Sequence, residues 1–173
     1  MSNDIDRIRV YGDPILRKNT EKITVFDTRL LDMVDQMVET LYAKNGLGLA
    51  GPQVGISMKI SIIDLSFGED VDNNLILVNP EILETEGTST FEEGCLSVPG
   101  IFEDIIRPEV VKIRFQDLHG KEQEMKTEGL LARIIQHEVD HLKGVLFVDR
   151  LSMVKRKLLS KKLRQLAKEG NRD

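Results

Sequence analysis

The chain has 173 residues, 40% hydrophobic and 31% charged, with a formal net charge of −5. That length and balance suit one folded domain and exclude a disordered chain, a membrane bundle and a globally basic nucleic-acid binder. Cys95 is the one cysteine, so no internal disulfide can form, and the thiol is a small buried hydrophobe, a reactive group or a metal ligand.

The start, MSNDIDRIRVYGDP, carries charges throughout and lacks the basic flank, apolar stretch and cleavage site of a secretory signal. No apolar run approaches the roughly 18 to 20 residues that span a bilayer. A cytoplasmic protein with no membrane partner is expected. Between Asp27 and Lys44, Leu30, Met33, Val34, Met37, Val38 and Leu41 recur at spacings of three and four, which predicts an amphipathic helix. Asn45 and Gly46 stop it, and the glycine-rich GLGLAGPQVG at 46–55 is expected to be irregular backbone.

Strands are predicted over 59–64 and 75–78, where Ile, Leu and Val are dense between turn-formers. The segment Val110 to Gln116 alternates Val111, Ile113 and Phe115 with polar neighbours, and LHGKE beyond it predicts a hairpin into 122–127. Residues 130–143 return to helical spacing and stop at Gly144. A last amphipathic helix is predicted over 153–168, with Met153, Leu159, Leu163 and Leu166 near one face. Lys155, Lys157, Lys161, Lys162, Arg164 and Lys168 occupy the rest of that helix. Residues 151–173 hold eight Lys or Arg against Glu169 and Asp173, a local +6 that leaves −11 for residues 1–150. The expected class is α+β, a single catalytic domain over 1–173 with antiparallel sheets around the 130–143 helix and a basic C-terminal helix.

QHEVDH, residues 136–141, carries the strongest chemical signal. Two histidines four apart share one helix face, so His137 and His141 can reach one metal ion. Glu138 is angled away from them and suits proton transfer rather than ligation. A hydrolytic site needs about three protein ligands and an open position. Phe147 stands where a metzincin has its third histidine, and a thermolysin-like glutamate from a later helix is poorly served by Glu169 near the terminus. His119 lies in a predicted hairpin turn, so Cys95 is the remaining candidate.

GLGLAGPQVG at 46–55, EGCLS at 93–97 and QHEVDH at 136–141, in this order and at these separations, resemble the three signature motifs of the peptide deformylase family. YGDPILRK at 11–18, VNPEIL at 78–83 and GVLFVDRLS at 144–152 extend the likeness over nearly the whole chain. The resemblance implies removal of the formyl group from N-formylmethionine of nascent polypeptides, with release of formate. It implies Cys95, His137 and His141 as ligands of one divalent metal, ferrous iron first, with zinc, nickel or cobalt also able to occupy the site. Glu138 would carry the proton, while the Gln53 side chain and the Leu96 N–H would stabilise the oxyanion.

The resemblance further implies a peptide added as a strand near Gly48, with its methionine in a pocket of Leu47, Phe91, Leu130 and Ile134. The nascent chain as substrate and the basic C-terminal helix together suggest the ribosome as a partner, without sequence-specific nucleic-acid recognition. Two positions depart from the family pattern: Gly51 replaces an alanine and adds backbone freedom beside Gln53, and Arg133 stands at a pocket-rim position that is apolar in some relatives. A general HExxH metallopeptidase is disfavoured by the lack of a downstream third ligand. A non-catalytic ribosome-associated relative would be expected to lose Glu138 or Gln53, and both are present.

Overall fold

Asp27 caps the first long helix, its carboxylate accepting from the backbone N–H groups of Arg29 and Leu30 at 3.1 and 3.2 Å. In the computed structural model, which describes residues 5–170, that helix, α1, spans Thr28–Ala43. It buries Leu30, Val34, Met37 and Leu41, the face that the apolar spacing predicts. Asn45 adopts a left-handed φ of 53° and ends it.

The strands are β1 (Gly48–Ala50), β2 (Ile60–Asp64), β3 (Asn74–Glu86), β4 (Ser89–Cys95), β5 (Val98–Arg107), β6 (Val110–Gln116) and β7 (Glu122–Glu128). Helices α2 (Gly129–Leu142) and α3 (Met153–Gly170) follow. Five strands form an antiparallel sheet in the order β1-β2-β3-β6-β7, and β4 pairs with β5 in a separate hairpin. The class is α+β, as expected. β1 stands at the end of the larger sheet, so one of its edges is unpaired within that sheet.

Helix α2 connects the two sheets. Ala132, Ile134, Ile135 and Val139 pack with Ile63, Leu77, Val111, Ile113 and Phe115 of the larger sheet. Burying four such side chains is worth ~1.5–3 kcal/mol for each of the larger ones, which fixes the helix axis and therefore what its other face presents. From that other face Arg133, His137 and Asp140 reach side chains of the β4–β5 hairpin. No helix among the described residues is long and apolar enough to cross a membrane.

Three sequence expectations need correction, and one element was not foreseen. The 46–55 stretch is not wholly irregular, because it contains β1 and a short 3₁₀ turn over Gly51–Val54. The strand expected over 75–78 continues to Glu86, with Glu81 opposite Arg114 and Glu84 opposite Lys112, so cross-strand charge pairs replace the apolar signal. The β4–β5 hairpin had no prediction, since the buried Glu93 and Arg107 break its alternation. Met153 is 89% exposed and lies off the docked face of α3, which is anchored by Leu163 and Leu166. Residues 171–173 of the predicted basic tail, like residues 1–4 of the charged start, lie outside the described residues.

Candidate metal centre

Cys95 is the last residue of β4, paired with Val98 across a turn formed by Leu96 and Ser97, and a bulge between Glu93 and Cys95 re-aims the strand. Opposite it, α2 presents His137 and His141 one turn apart. The Cys95 Sγ lies 3.3 Å from His141 Nε2, which lies 3.2 Å from His137 Nε2, and the three donor atoms all fall within 4.8 Å of one another. Two nitrogens and a sulfur on a tetrahedral ion with bonds of about 2.0–2.3 Å lie roughly 3.3–3.6 Å apart. One divalent ion fits this donor set, and a thiolate with two imidazoles suits zinc or a late first-row metal rather than calcium or magnesium.

The outer partners orient the candidate ligands. His137 Nδ1 meets Glu93 Oε2 at 3.0 Å, which directs its Nε2 toward Cys95 and His141. Arg107 donates to both oxygens of Glu93, at 2.6 and 3.0 Å, and to Asp140 at 2.8 Å. Asp140 also accepts from Arg150 through both of its oxygens at 2.6 Å. Burial alone would raise the Glu93 carboxyl, but the hydrogen bonds from His137 and Arg107 and the Arg107 charge hold it well below the usual carboxylate range. Burial likewise works to lower His137, yet the bonds to Cys95 and Glu93 outweigh it and raise that imidazole. His141 is held low by burial and by the neighbouring His137. The negative charge of Glu93 thus favours a cation, proton or metal, among these donors.

Glu138 stands apart from the ligand set. It is 3% exposed, and its Oε2 is buried without a hydrogen-bond partner among the described residues. Burial pushes it up to about 7, helped by the Glu93 and Asp140 charges and opposed by His137 and Arg107. A carboxyl balanced there can take and return a proton at neutral pH.

Gln53 sits in the Gly51–Val54 turn and is 2% exposed, so it is no solvated loop residue. Its Oε1 accepts from the Ala50 N–H at 2.9 Å, leaving Nε2 to donate to Ser97 Oγ at 3.3 Å and toward Cys95 Sγ at 3.5 Å. Gly51 beside it adds no slack. A Cβ there would come within 2.8 Å of the Met58 carbonyl and 2.9 Å of the Ile56 carbonyl, so the glycine serves close packing.

A cavity of about 520 Å³ opens beside these groups, lined by Leu47, Gly48, Gln53, Phe91, Leu96, Leu130, Ile134, His137 and Glu138 among others. Leu47, Phe91 and Leu130 are 40%, 57% and 41% exposed, which separates them from ordinary core, whereas Ile134 is buried. His119 is exposed in its turn, far from any ligand role.

Arg133 is not a free rim residue. It is 5% exposed and donates to Glu93 Oε1 at 2.7 Å, to the Ile105 carbonyl at 3.0 Å and to Ser89 O and Oγ at 2.9 Å. Its guanidinium also lies 5.9 Å from the Phe91 ring centroid, so it braces the cavity wall. Sequence reasoning missed the Glu93, Arg107 and Asp140 network. Glu93 and Asp140 could have been found as acids inside the ligand motifs, since metal-ligating histidines habitually pair with carboxylates. Arg107 carried no such signal.

A sequence model of one family, described as Polypeptide deformylase, matches residues 5–157. The peptide deformylase of Acidobacterium capsulatum is 47% identical over 160 residues, covering 92% of this chain and 94% of that protein. That of Thermotoga maritima is 46% identical over 167 residues, covering 96% and 99%. Among solved structures, the peptide deformylase of Plasmodium falciparum superposes with a TM-score of 0.90 at 38% identity, covering 94% of this chain and 96% of that one.

Proposed function

The chain belongs to the peptide deformylase family, metal-dependent hydrolases that remove the N-formyl group from nascent polypeptides, and from that premise we propose how its own residues carry the reaction. Cys95, His137 and His141 hold the metal, Glu138 carries the proton, and Gln53 with the Leu96 N–H meets the developing oxyanion. The observation that carries this reading is the convergence of three donor atoms within 4.8 Å, with Glu138 and Gln53 lining the same cavity.

When bound, the metal supplies a Lewis acid and lowers the pKa of water toward about 7. Glu138 takes the proton from the attacking water and delivers it to the departing amine, which its position near neutrality suits in both directions. Gln53 Nε2, oriented by the Ala50 bond to its Oε1, donates to the formyl oxygen as charge builds there. The peptide lies as an added strand along the free edge of β1 at Gly48. Its methionine side chain enters the apolar part of the cavity between Leu47, Phe91, Leu130 and Ile134.

Ferrous iron is the proposed metal in cells, zinc, nickel and cobalt being alternatives that the same donors accept. Cobalt offers the test of the ligand set. Cobalt-loaded protein should show a thiolate-to-cobalt charge-transfer band in the near ultraviolet, and Cys95→Ala should lose it. Persistence of that band in the variant would remove Cys95 from the ligand set.

Residues 1–173 are taken as one catalytic domain, because Leu163 and Leu166 of α3 share a core cluster with Val98, Ile101 and Ile105 of β5. The cytoplasm is the proposed compartment, where nascent chains are made. Helix α3 is the proposed ribosome contact: Lys155 and Lys162 are engaged by Glu103 and the Gly100 carbonyl, whereas Lys157, Lys161 and Lys168 are exposed. Replacing those three with glutamate keeps the buried anchors and reverses the local charge. Co-sedimentation with ribosomes at low salt should be lost in this variant, and unchanged co-sedimentation would refute the contact.

A further inference from the structure

Glycine weakens a strand by about 0.5–1 kcal/mol relative to alanine, so a strand glycine that needs no left-handed φ calls for a steric explanation. Gly48 opens β1 and pairs with Ile63, and it is absent from the positive-φ glycines of the described residues. Conformation therefore does not demand glycine here. Space does. A Cβ at residue 48 would overlap Glu138 Oε1 and would lie 2.8 Å from Cδ and 3.0 Å from Cγ of the same side chain.

We infer that Gly48 is a positioning residue whose missing Cβ is the seat of the Glu138 carboxylate. The inference rests on the reading of Glu138 as proton carrier. Glu138 is buried, and Val139, Asp140 and His141 beyond it are buried too, so the backbone of α2 has little room to retreat. What can yield is the far end of the glutamate side chain. Gly46 offers the contrast: its added Cβ would crowd the Leu41 and Leu96 methyl carbons, at 2.9 and 3.0 Å, and reach the Gly48 carbonyl at an ordinary 3.5 Å, with no contact to the Glu138 carboxylate among these nearest atoms. At Gly48 the strand edge that receives peptide and the carboxylate that moves the proton share one small volume, so filling it should cost catalysis before it costs folding.

Gly48→Ala, Glu138→Asp, their double variant and Glu138→Ala, each metal-loaded with its metal content measured, make the test. Gly48→Ala should fold and keep its metal, with kcat down about 10²-fold, the scale of an ångström of misplacement, and KM within about threefold. Its crystal structure should show the Glu138 carboxylate displaced while β1 keeps its pairing. Aspartate withdraws the carboxylate by one methylene, so the double variant should be at least about fivefold more active than the product of the two single losses, a coupling of roughly 1 kcal/mol. An unmoved carboxylate beside a shifted β1, an unaltered kcat, a rise in KM alone or strictly multiplicative losses would each overturn the inference. Formate release that survives Glu138→Ala would instead sink the proton-carrier reading, and the Gly48→Ala crystal structure would still decide what the glycine makes room for.

Discussion

Glu138→Ala protein should take up one metal ion per chain and release formate about 10³–10⁴-fold more slowly than the parent, a loss of roughly 4–5.5 kcal/mol of transition-state stabilisation. The ligands are untouched, because Glu138 is not part of the donor cluster formed by Cys95, His137 and His141. What disappears is the proposed proton carrier, the group that would accept the proton of the attacking water and return it to the amine. The fall should appear in kcat with little change in KM, since Gly48, Phe91 and Leu130 still line the peptide's cavity. Thermal stability should change little, because Oε2 makes no hydrogen bond among the described residues and its removal strands no partner. Metal content with kcat and KM checks this, and a variant that keeps more than a tenth of the parental kcat would assign proton transfer elsewhere.

Glu93→Ala should fail differently. Glu93 accepts from Arg107 and Arg133 and meets His137, and all three side chains are largely buried. Removing the carboxylate leaves Arg133 without its acid partner and Arg107 with Asp140 alone, and breaking a buried pair in this way costs about 3–5 kcal/mol. For a chain of this size that lowers the melting temperature by roughly 10 °C. The imidazole of His137 also loses the acceptor that fixes its orientation, so metal affinity should drop about 10–100-fold. Calorimetry and metal competition read the two effects separately. A Glu93→Ala protein that melts with the parent would mean that Arg107 and Arg133 do not depend on this carboxylate. The Glu138 variant should therefore lose rate at constant stability, whereas the Glu93 variant should lose stability and metal together.

Helix α2 was readable because its apolar residues and its two histidines obey the same period, so the stripe that packs on the sheet fixes where His137 and His141 point. Cys95 was reachable by elimination, since Phe147 takes the metzincin histidine's place, Glu169 lies near the terminus and His119 lies in a turn, and its sulfur lies within 4.8 Å of both imidazole donors. The β4–β5 hairpin was not readable, because the residues facing inward include Glu93 and Arg107, and a buried ion pair looks like a solvated surface in a sequence. Arg133 does line the cavity, as the resemblance implies, but the sequence did not show that its charge is satisfied in the interior by Glu93 and by the Ile105 and Ser89 carbonyls. Gly48 and Gly51 illustrate a further limit. Gly51, read as a source of backbone freedom, and Gly48, read only as a place on the peptide's edge, are both points of close approach, and what approaches them depends on segments distant in the chain.

The proposed function stands on Cys95, His137 and His141 forming a metal centre for deformylation. Its most direct measurement is formate released from a formyl-methionyl peptide by anaerobically metallated protein, with the new amino terminus counted in the same samples. One formate per amine, abolished by chelation and restored by the metal, with the unformylated peptide left intact, is the predicted result. Cleavage of internal peptide bonds, or formate release that is indifferent to the chelator, would contradict it.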